Sequence, residues 1–152
     1  MTFLIVSIVI LFALIFLAPR RLSRIEILTS TLFGLYFEST VNIFLDLDYD
    51  LYGYFHKGVD AITMVVLLGV YPALNYLLLN FYPEGRGAPR VFAYLLAWDA
   101  FSVAYELLSI HYGIFYYNGW HWWYSALVYV PLFLSLRWQI LFTRRMLRLD
   151  RG

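Results

Sequence analysis

Five apolar stretches, each close to the length of a bilayer-crossing helix, divide this 152-residue chain and leave few folds open to it. A helix needs roughly 20 predominantly apolar residues to cross the hydrocarbon core, within a range of about 17–25. The stretches cover residues 2–18, 25–45, 59–80, 90–111 and 124–142. No polar segment between them exceeds about fifteen residues, which leaves no room for a soluble module, so residues 1–152 read as a single integral membrane domain. Composition agrees: 62% of the residues are hydrophobic and 14% charged, against about 45–50% and 25% in soluble domains. The surplus apolar surface has the lipid bilayer as its natural partner.

The predicted fold is therefore an all-α, polytopic membrane helical bundle of about five transmembrane helices. Pro19-Arg20-Arg21 stops the first stretch. No basic segment precedes that stretch and no small-x-small cleavage site ends it, which favours a retained anchor over a secretory signal. Ser23-Arg24-Ile25-Glu26 has the form of a capping box, in which serine and glutamate satisfy the free backbone donors of a helix start. Pro89 suits the first turn of the fourth helix. Pro131 falls inside the fifth and predicts a kink that membrane helices tolerate.

Charge then sets the orientation. Arg20, Arg21 and Arg24 follow the first stretch, Arg86 and Arg90 lie between the third and fourth, and Arg144, Arg145, Arg148 and Arg151 follow the fifth. With five spans these arginines all fall on one side. The other side has Lys57 and the acidic run Asp46, Asp48 and Asp50. The positive-inside rule makes the arginine side cytoplasmic. This predicts a multi-pass cell-membrane protein with its N-terminus out and its C-terminus in the cytoplasm. A four-span arrangement, with residues 2–18 lying along the interface, sorts the remaining charges equally well.

The ionisable residues inside the stretches carry what functional information there is. A charge at the bilayer centre costs about 2.5–3.5 kcal/mol on insertion scales, so such residues face a bundle interior, a partner or a water-filled cavity. At about 1.5 Å per residue, Glu38 and Glu106 each lie ~20–24 Å from the cytoplasmic start of their helices, in the outer half. Asp60 and His111 lie at the outer ends of the third and fourth helices, so these four are expected to converge, with Asn42 one turn from Glu38. Asp99 and Arg137 lie deeper and are expected to form a structural ion pair between helices. The alternative for Arg137 is to snorkel to the inner interface, five residues from the end of its span.

The two glutamates have no obvious cationic partner within the spans. Three occupations of the outer layer are open: a carboxyl that keeps its proton and hydrogen-bonds to Tyr, Asn or backbone, a proton-linked site, or a divalent metal on Glu38, Glu106, Asp60 and His111. No His-Glu-x-x-His or Glu-x-x-His spacing supports the metal, and Glu106 and His111, five apart, point to different faces. No metal is therefore assigned. Asp46-Leu47-Asp48-Tyr49-Asp50 opens like a calcium loop but has Leu51 where the glycine belongs and Lys57 where the last glutamate belongs. Phosphate-binding glycine loops and nucleophile elbows are absent, so no cofactor and no catalytic residue is assigned. Zero cysteines exclude thiolate chemistry, and a net charge of +1 gives no reason to expect nucleic acid.

The outer loop 112–124 is crowded with tyrosine and tryptophan. It reads either as an aromatic belt at the headgroup level or as a cap over a cavity mouth. A weak internal echo accompanies it. Glu38, Tyr52-Gly53-Tyr54-Phe55 and Tyr71-Pro72 are answered by Glu106, Tyr112-Gly113-Ile114-Phe115 and Tyr129-Val130-Pro131. A duplication would be a parallel repeat about an axis along the membrane normal.

With Arg20-Arg21, Asp60, Tyr71-Pro72, Asn80-Phe81-Tyr82-Pro83, Glu106 and the Gly119-Trp120…Tyr124-Ser125 stretch in place, the chain resembles a family of small uncharacterised multi-pass membrane proteins of endospore-forming bacteria. The resemblance covers most of the chain and implies an intact membrane protein; it carries over no catalytic residue. The functional expectation is a non-enzymatic assembly or accessory membrane component, with a homo-oligomer or a partner membrane protein as its company. The alternatives are a small proton-linked carrier or channel using the intramembrane carboxylates, and a membrane enzyme acting on a lipid or prenyl substrate.

Overall fold

The computed structural model of the protein describes residues 2–55 and 61–150. Five helices account for most of them. Helix α1 spans Thr2–Leu17, and α2 spans Arg24–Asn42 and runs on as a π-helix over Ile43–Asp48. Helix α3 begins at Ala61–Val65, widens to a π-helix over Val66–Val70 and continues as Tyr71–Asn80. Helix α4 spans Ala88–His111 and α5 spans Trp122–Leu149.

Three of these, α3 from Ile62 to Asn80, α4 and α5, are long and apolar enough to cross a membrane. Helix α1 is apolar but has only 16 residues, about 24 Å of rise against a hydrocarbon core of about 30 Å. Helix α2 is long enough, but Thr29, Ser30, Thr31, Ser39, Thr40 and Asn42 make it polar.

That polarity is arranged inside out. The fully buried residues of α2 are Glu26, Ser30, Gly34 and Asn42, spaced by four or eight along one face. On α4 they are Leu95, Glu106 and Ser109. The outward faces carry the large apolar side chains: Phe16 is 91% exposed, Leu127 67% and Trp138 62%. A soluble helix does the reverse. Polar and small residues facing inward are the mark of packing inside a lipid solvent.

The central packing lies between α3 and α5, where Val70, Leu78, Leu136 and Ile140 are almost wholly enclosed. Helix α5 also packs on α2 and α4, while α1 lies chiefly along α3. The start of α1 touches α4 through Phe3, which stacks on Tyr112 with ring centres 4.7 Å apart. Asn80 ties the other end down. Its Nδ2 donates to the Pro19 carbonyl at 3.0 Å and its Oδ1 accepts from the Arg21 amide at 2.8 Å. The predicted capping box opens α2: the Ser23 amide donates to Glu26 Oε2 at 2.7 Å, and the Glu26 amide to Ser23 Oγ at 3.3 Å.

One element departs from an all-helical reading. Strands β1 (Tyr52–Tyr54) and β2 (Phe115–Tyr117) pair antiparallel, Tyr52 opposite Tyr117 and Tyr54 opposite Phe115. Aromatic residues favour such pairing, and Gly53 permits it here, because a Cβ at that position would lie 2.4 Å from the Tyr116 hydroxyl. The ribbon joins two helix–strand–helix units, α2–β1–α3 and α4–β2–α5, at one end of the bundle.

Candidate functional site

Beneath the ribbon, between α2, α4 and α5, lies a cavity of about 110 Å³. Glu38 and Asn42 reach it from α2, Tyr71 and Asn75 from α3, Glu106 from α4, and Ser125 and Tyr129 from α5; Tyr52, Tyr54, Phe115 and Trp120 close it from the ribbon side. A second cavity of about 80 Å³ shares Tyr54, Tyr71, Asn75, Glu106 and Tyr129 with the first. Among the described residues no Lys, Arg or His lines either one.

The backbone around the site is irregular in the places that aim these side chains. Asn42 is the last residue before the first π-helix, and Tyr71 the first residue after the second. A π-turn rotates the next residues off the regular helical face, and such turns recur at functional sites. Pro72 comes directly after Tyr71 and removes a backbone donor there. On either side of β1, Asp50 and Phe55 hold left-handed backbone at φ 51° and 46°.

The two carboxyls have opposite surroundings. Glu106 is 8% exposed and fully engaged. Its Oε1 accepts from the Tyr117 hydroxyl and from Ser125 Oγ at 2.6 Å, and its Oε2 accepts from the Tyr129 hydroxyl. Trp120 Nε1 donates in turn to Ser125 Oγ at 2.8 Å. Bonds from hydroxyls to a carboxylate are charge-assisted and about twice as strong as neutral ones. Glu38 is different. Its Oε1 is buried without a hydrogen-bond partner among the described residues. Both carboxyls lie near enough to Tyr52 and Tyr71 to act on them electrostatically.

The tyrosines complete the lining. Tyr52 donates to Asn42 Oδ1 at 2.9 Å. The hydroxyls of Tyr54 and Tyr71 bond to each other at 2.6 Å. Two hydroxyls sharing one bond leave one hydrogen over, available to a further acceptor in the chamber.

The residues predicted from sequence divide accordingly. Glu38, Asn42 and Glu106 line one cavity. His111 does not join them: it caps the end of α4 with its ring against Tyr112 at 5.2 Å, exposed, because five residues of helix turn it to another face. Asp60 lies outside the described residues. The expected pair of Asp99 with Arg137 is not formed. Arg137 Nη1 donates to Glu84 Oε1 at 2.9 Å, in the turn between α3 and α4, and its guanidinium covers the Tyr82 ring at 4.5 Å. Its long side chain reaches the turn between α3 and α4 instead. Asp99 keeps a buried Oδ1 with no partner among the described residues.

Glu84 also receives Arg144 Nη1 at 2.8 and 2.9 Å on its two oxygens, and Arg144 Nε donates to Glu26. Arg137 and Arg144, two turns apart on α5, are thus clamped by acids from α2 and the α3–α4 turn. Burial pushes the Glu84 carboxyl up, but the hydrogen bonds and charges of Arg144 and Arg137 outweigh it and hold its pKa below the ordinary value.

Tyr52, Tyr54, Tyr117, Trp120 and Ser125 stand out in the sequence only through the echo, the aromatic loop and the family resemblance, and none of them is assigned to the polar site there. In the loop 112–124, Trp122 and Trp123 are exposed, while Phe115 and Trp120 line the cavity. Glu38 and Glu106 line it together with Tyr71 and Tyr129, the tyrosines that follow them in the echo. Among the described residues no group of three or more His, Asp or Glu side chains is placed to hold a metal.

No family model matches this chain, and neither the curated proteins nor the solved structures contain a match to it. Fold and site alone define its class: a helical bundle with three helices long and apolar enough to cross a membrane and a carboxylate-lined interior cavity.

Proposed function

We propose that the chain is an integral membrane protein of five spans, N-terminus out and C-terminus cytoplasmic, acting as a small proton-linked carrier or channel through Glu38 and Glu106. One observation carries this reading: two carboxyls from different helices line one cavity that holds no basic residue among the described ones. Acids so placed mark proton and substrate pathways in membrane proteins. The inside-out polarity of α2 and α4 supports the spanning arrangement, with α1 and α2 completing the five.

Reconstituted liposomes test the mechanism. The wild-type protein is expected to pass protons down an imposed potential, read with an internal pH dye, and Glu38→Gln to abolish that flux while inserting normally. Equal flux through wild type, Glu38→Gln and protein-free vesicles would sink the reading. The cysteine-free sequence makes orientation easy to test. A membrane-impermeant maleimide is expected to label Asn118→Cys on intact cells and Arg86→Cys only after lysis.

The second reading, an assembly or accessory component with a homo-oligomer or partner membrane protein, is favoured by the apolar groove between α1 and α4. Leu14, Leu17, Tyr94, Trp98 and Phe101 line that groove where the two helices diverge. Native mass spectrometry from nanodiscs separates the readings: a single chain with intact flux removes the second.

A further inference from the structure

We propose that the chamber binds a small organic cation bearing N–H groups, a primary ammonium ion of about five heavy atoms, with Glu38 as its counter-ion and Tyr52, Trp120 and Tyr129 as its aromatic walls. This rests on the reading of the chamber as a ligand site and names the ligand class. The inventory of donors and acceptors leads to it. Three of the roughly four acceptor positions of Glu106 are taken by Tyr117, Ser125 and Tyr129, so it offers the occupant a structured negative wall while Glu38 is the freer carboxyl. Glu38 Oε1 is buried and unpartnered among the described residues, so the chamber lacks a donor at that point. Among the described residues no Lys, Arg or His lines the cavity, so none of them supplies a cation to fill it.

The remaining walls say which donor fits. They include the rings of Phe37, Tyr52, Tyr54, Phe115, Trp120 and Tyr129 beside the aliphatic Val41, Leu45, Val128 and Leu132. Ring faces attract a cation through their quadrupole, and tryptophan and tyrosine faces do so best. Anions are disfavoured twice, by the carboxyls and by the rings. A cavity of about 110 Å³ is somewhat smaller than the roughly 150 Å³ site that admits benzene in an engineered core. That sets the size at a short alkylammonium. A hydrated inorganic ion would leave the rings unused.

The groups facing Glu38 from the packed elements are Tyr52 and Tyr54 from β1, Tyr71 from α3, Glu106 from α4 and Tyr129 from α5. None carries a positive charge, so the ammonium is the one cation the described residues leave room for beside Glu38.

Isothermal titration of the full chain in detergent tests this with three probes: n-butylammonium, tetramethylammonium and 1-butanol. Saturable binding of butylammonium is expected, with the neutral alcohol weaker by about tenfold or more, the scale of one charge-assisted contact. Tetramethylammonium, a cation without N–H, is expected to fall between. Glu38→Gln is expected to weaken butylammonium by about tenfold or more and to leave 1-butanol unchanged. Equal binding of the three probes, or undiminished butylammonium binding by Glu38→Gln, overturns the proposal. If Glu38→Gln does not elute as wild type, the order of the three probes on the wild-type chain decides alone. Binding is read without transport, so the two readings fail separately. Proton flux without ammonium binding removes the ligand class, and ammonium binding without flux removes the carrier.

Discussion

Removing a single oxygen, in Tyr129→Phe, tests whether Glu106 is held as a charged, triply bonded carboxylate. The ring stays: Tyr129 stacks on Phe133 at 6.0 Å between centres, and phenylalanine keeps that contact. What goes is the donor to Glu106 Oε2, leaving Tyr117 and Ser125 on Oε1. A hydrogen bond to a charged group contributes about 1.5–3 kcal/mol. Ordinary interhelical hydrogen bonds in a membrane protein average about 0.6 kcal/mol, because the unfolded chain in the micelle finds other partners. The expected loss is therefore about 1.5–3 kcal/mol, well above that average. Glu106→Gln gives the second edge of the cycle. An amide oxygen accepts at most two of the three hydroxyls, and its NH₂ adds donors where donors already crowd, so a further loss of about 1–3 kcal/mol is expected. In that background Tyr129→Phe is expected to cost far less, since the charge it served is gone. Unfolding by SDS in mixed micelles, followed by circular dichroism, measures all four corners. A Tyr129→Phe loss near 0.6 kcal/mol, additive with Glu106→Gln, would refute a charged triad.

In the turn between α3 and α4, the Glu84 pKa is lower in the folded protein than in the unfolded chain. The clamp thus contributes fully above the ordinary carboxylate range near 4.3 and is lost as pH falls through the lowered value. Glu84→Gln is expected to flatten the acid limb of the stability curve below about pH 5, by only about 0.5–1 kcal/mol because the carboxyl is half exposed to solvent; SDS titrations at stepped pH measure it. Gly34 lies where α2 meets α3, and a Cβ there would stand 2.7 Å from Asn75 Nδ2. Gly34→Leu is expected to cost about 1–3 kcal/mol by overpacking. Gly34→Ala is expected to regain wild-type stability or better when paired with Asn75→Ala, which removes the obstructing amide while the helix keeps alanine's propensity gain of about 1 kcal/mol.

Much of this fold is legible in the sequence because lipid and water sort residues by simple rules. The helix starts at Ser23 and Pro89 are local chemistry, and they lie where the cap and the first turn require them. The partners of Arg137 are not local. Depth along a helix suggested Asp99, but a flexible side chain also reaches an acid in a turn, and the turn puts Glu84 within range. The ribbon was hidden for another reason. Three-residue strands have no periodicity to read, and Tyr52–Tyr54 finds its mate far along the chain, Tyr52 against Tyr117. Glu38 and Glu106 could be ranked as important from their insertion cost alone. That one is triply bonded and the other unpartnered depends on the ribbon carrying Tyr117 and on the loop carrying Trp120, and no spacing rule reaches that far.

The contrast between these two acids makes opposite predictions for one kind of substitution. Each carries an insertion cost of about 2.5–3.5 kcal/mol if charged. For Glu106 three hydroxyls offset it, so an apolar replacement leaves three donors without an acceptor and destabilises. For Glu38 no group among the described residues bonds the buried Oε1, so no described side chain offsets the cost. Replacing an uncompensated buried polar group by an apolar one of similar volume stabilises. Glu38→Met is therefore expected to raise stability in ligand-free detergent by about 1–3 kcal/mol, the scale of one buried unsatisfied group. The same change is expected to remove binding of n-butylammonium. A residue that weakens the fold while conferring binding is kept for its ligand, the trade expected where activity needs a destabilised site. Loss of stability in Glu38→Met would place Glu38 in the packing instead, and the unpartnered oxygen would then carry no functional weight.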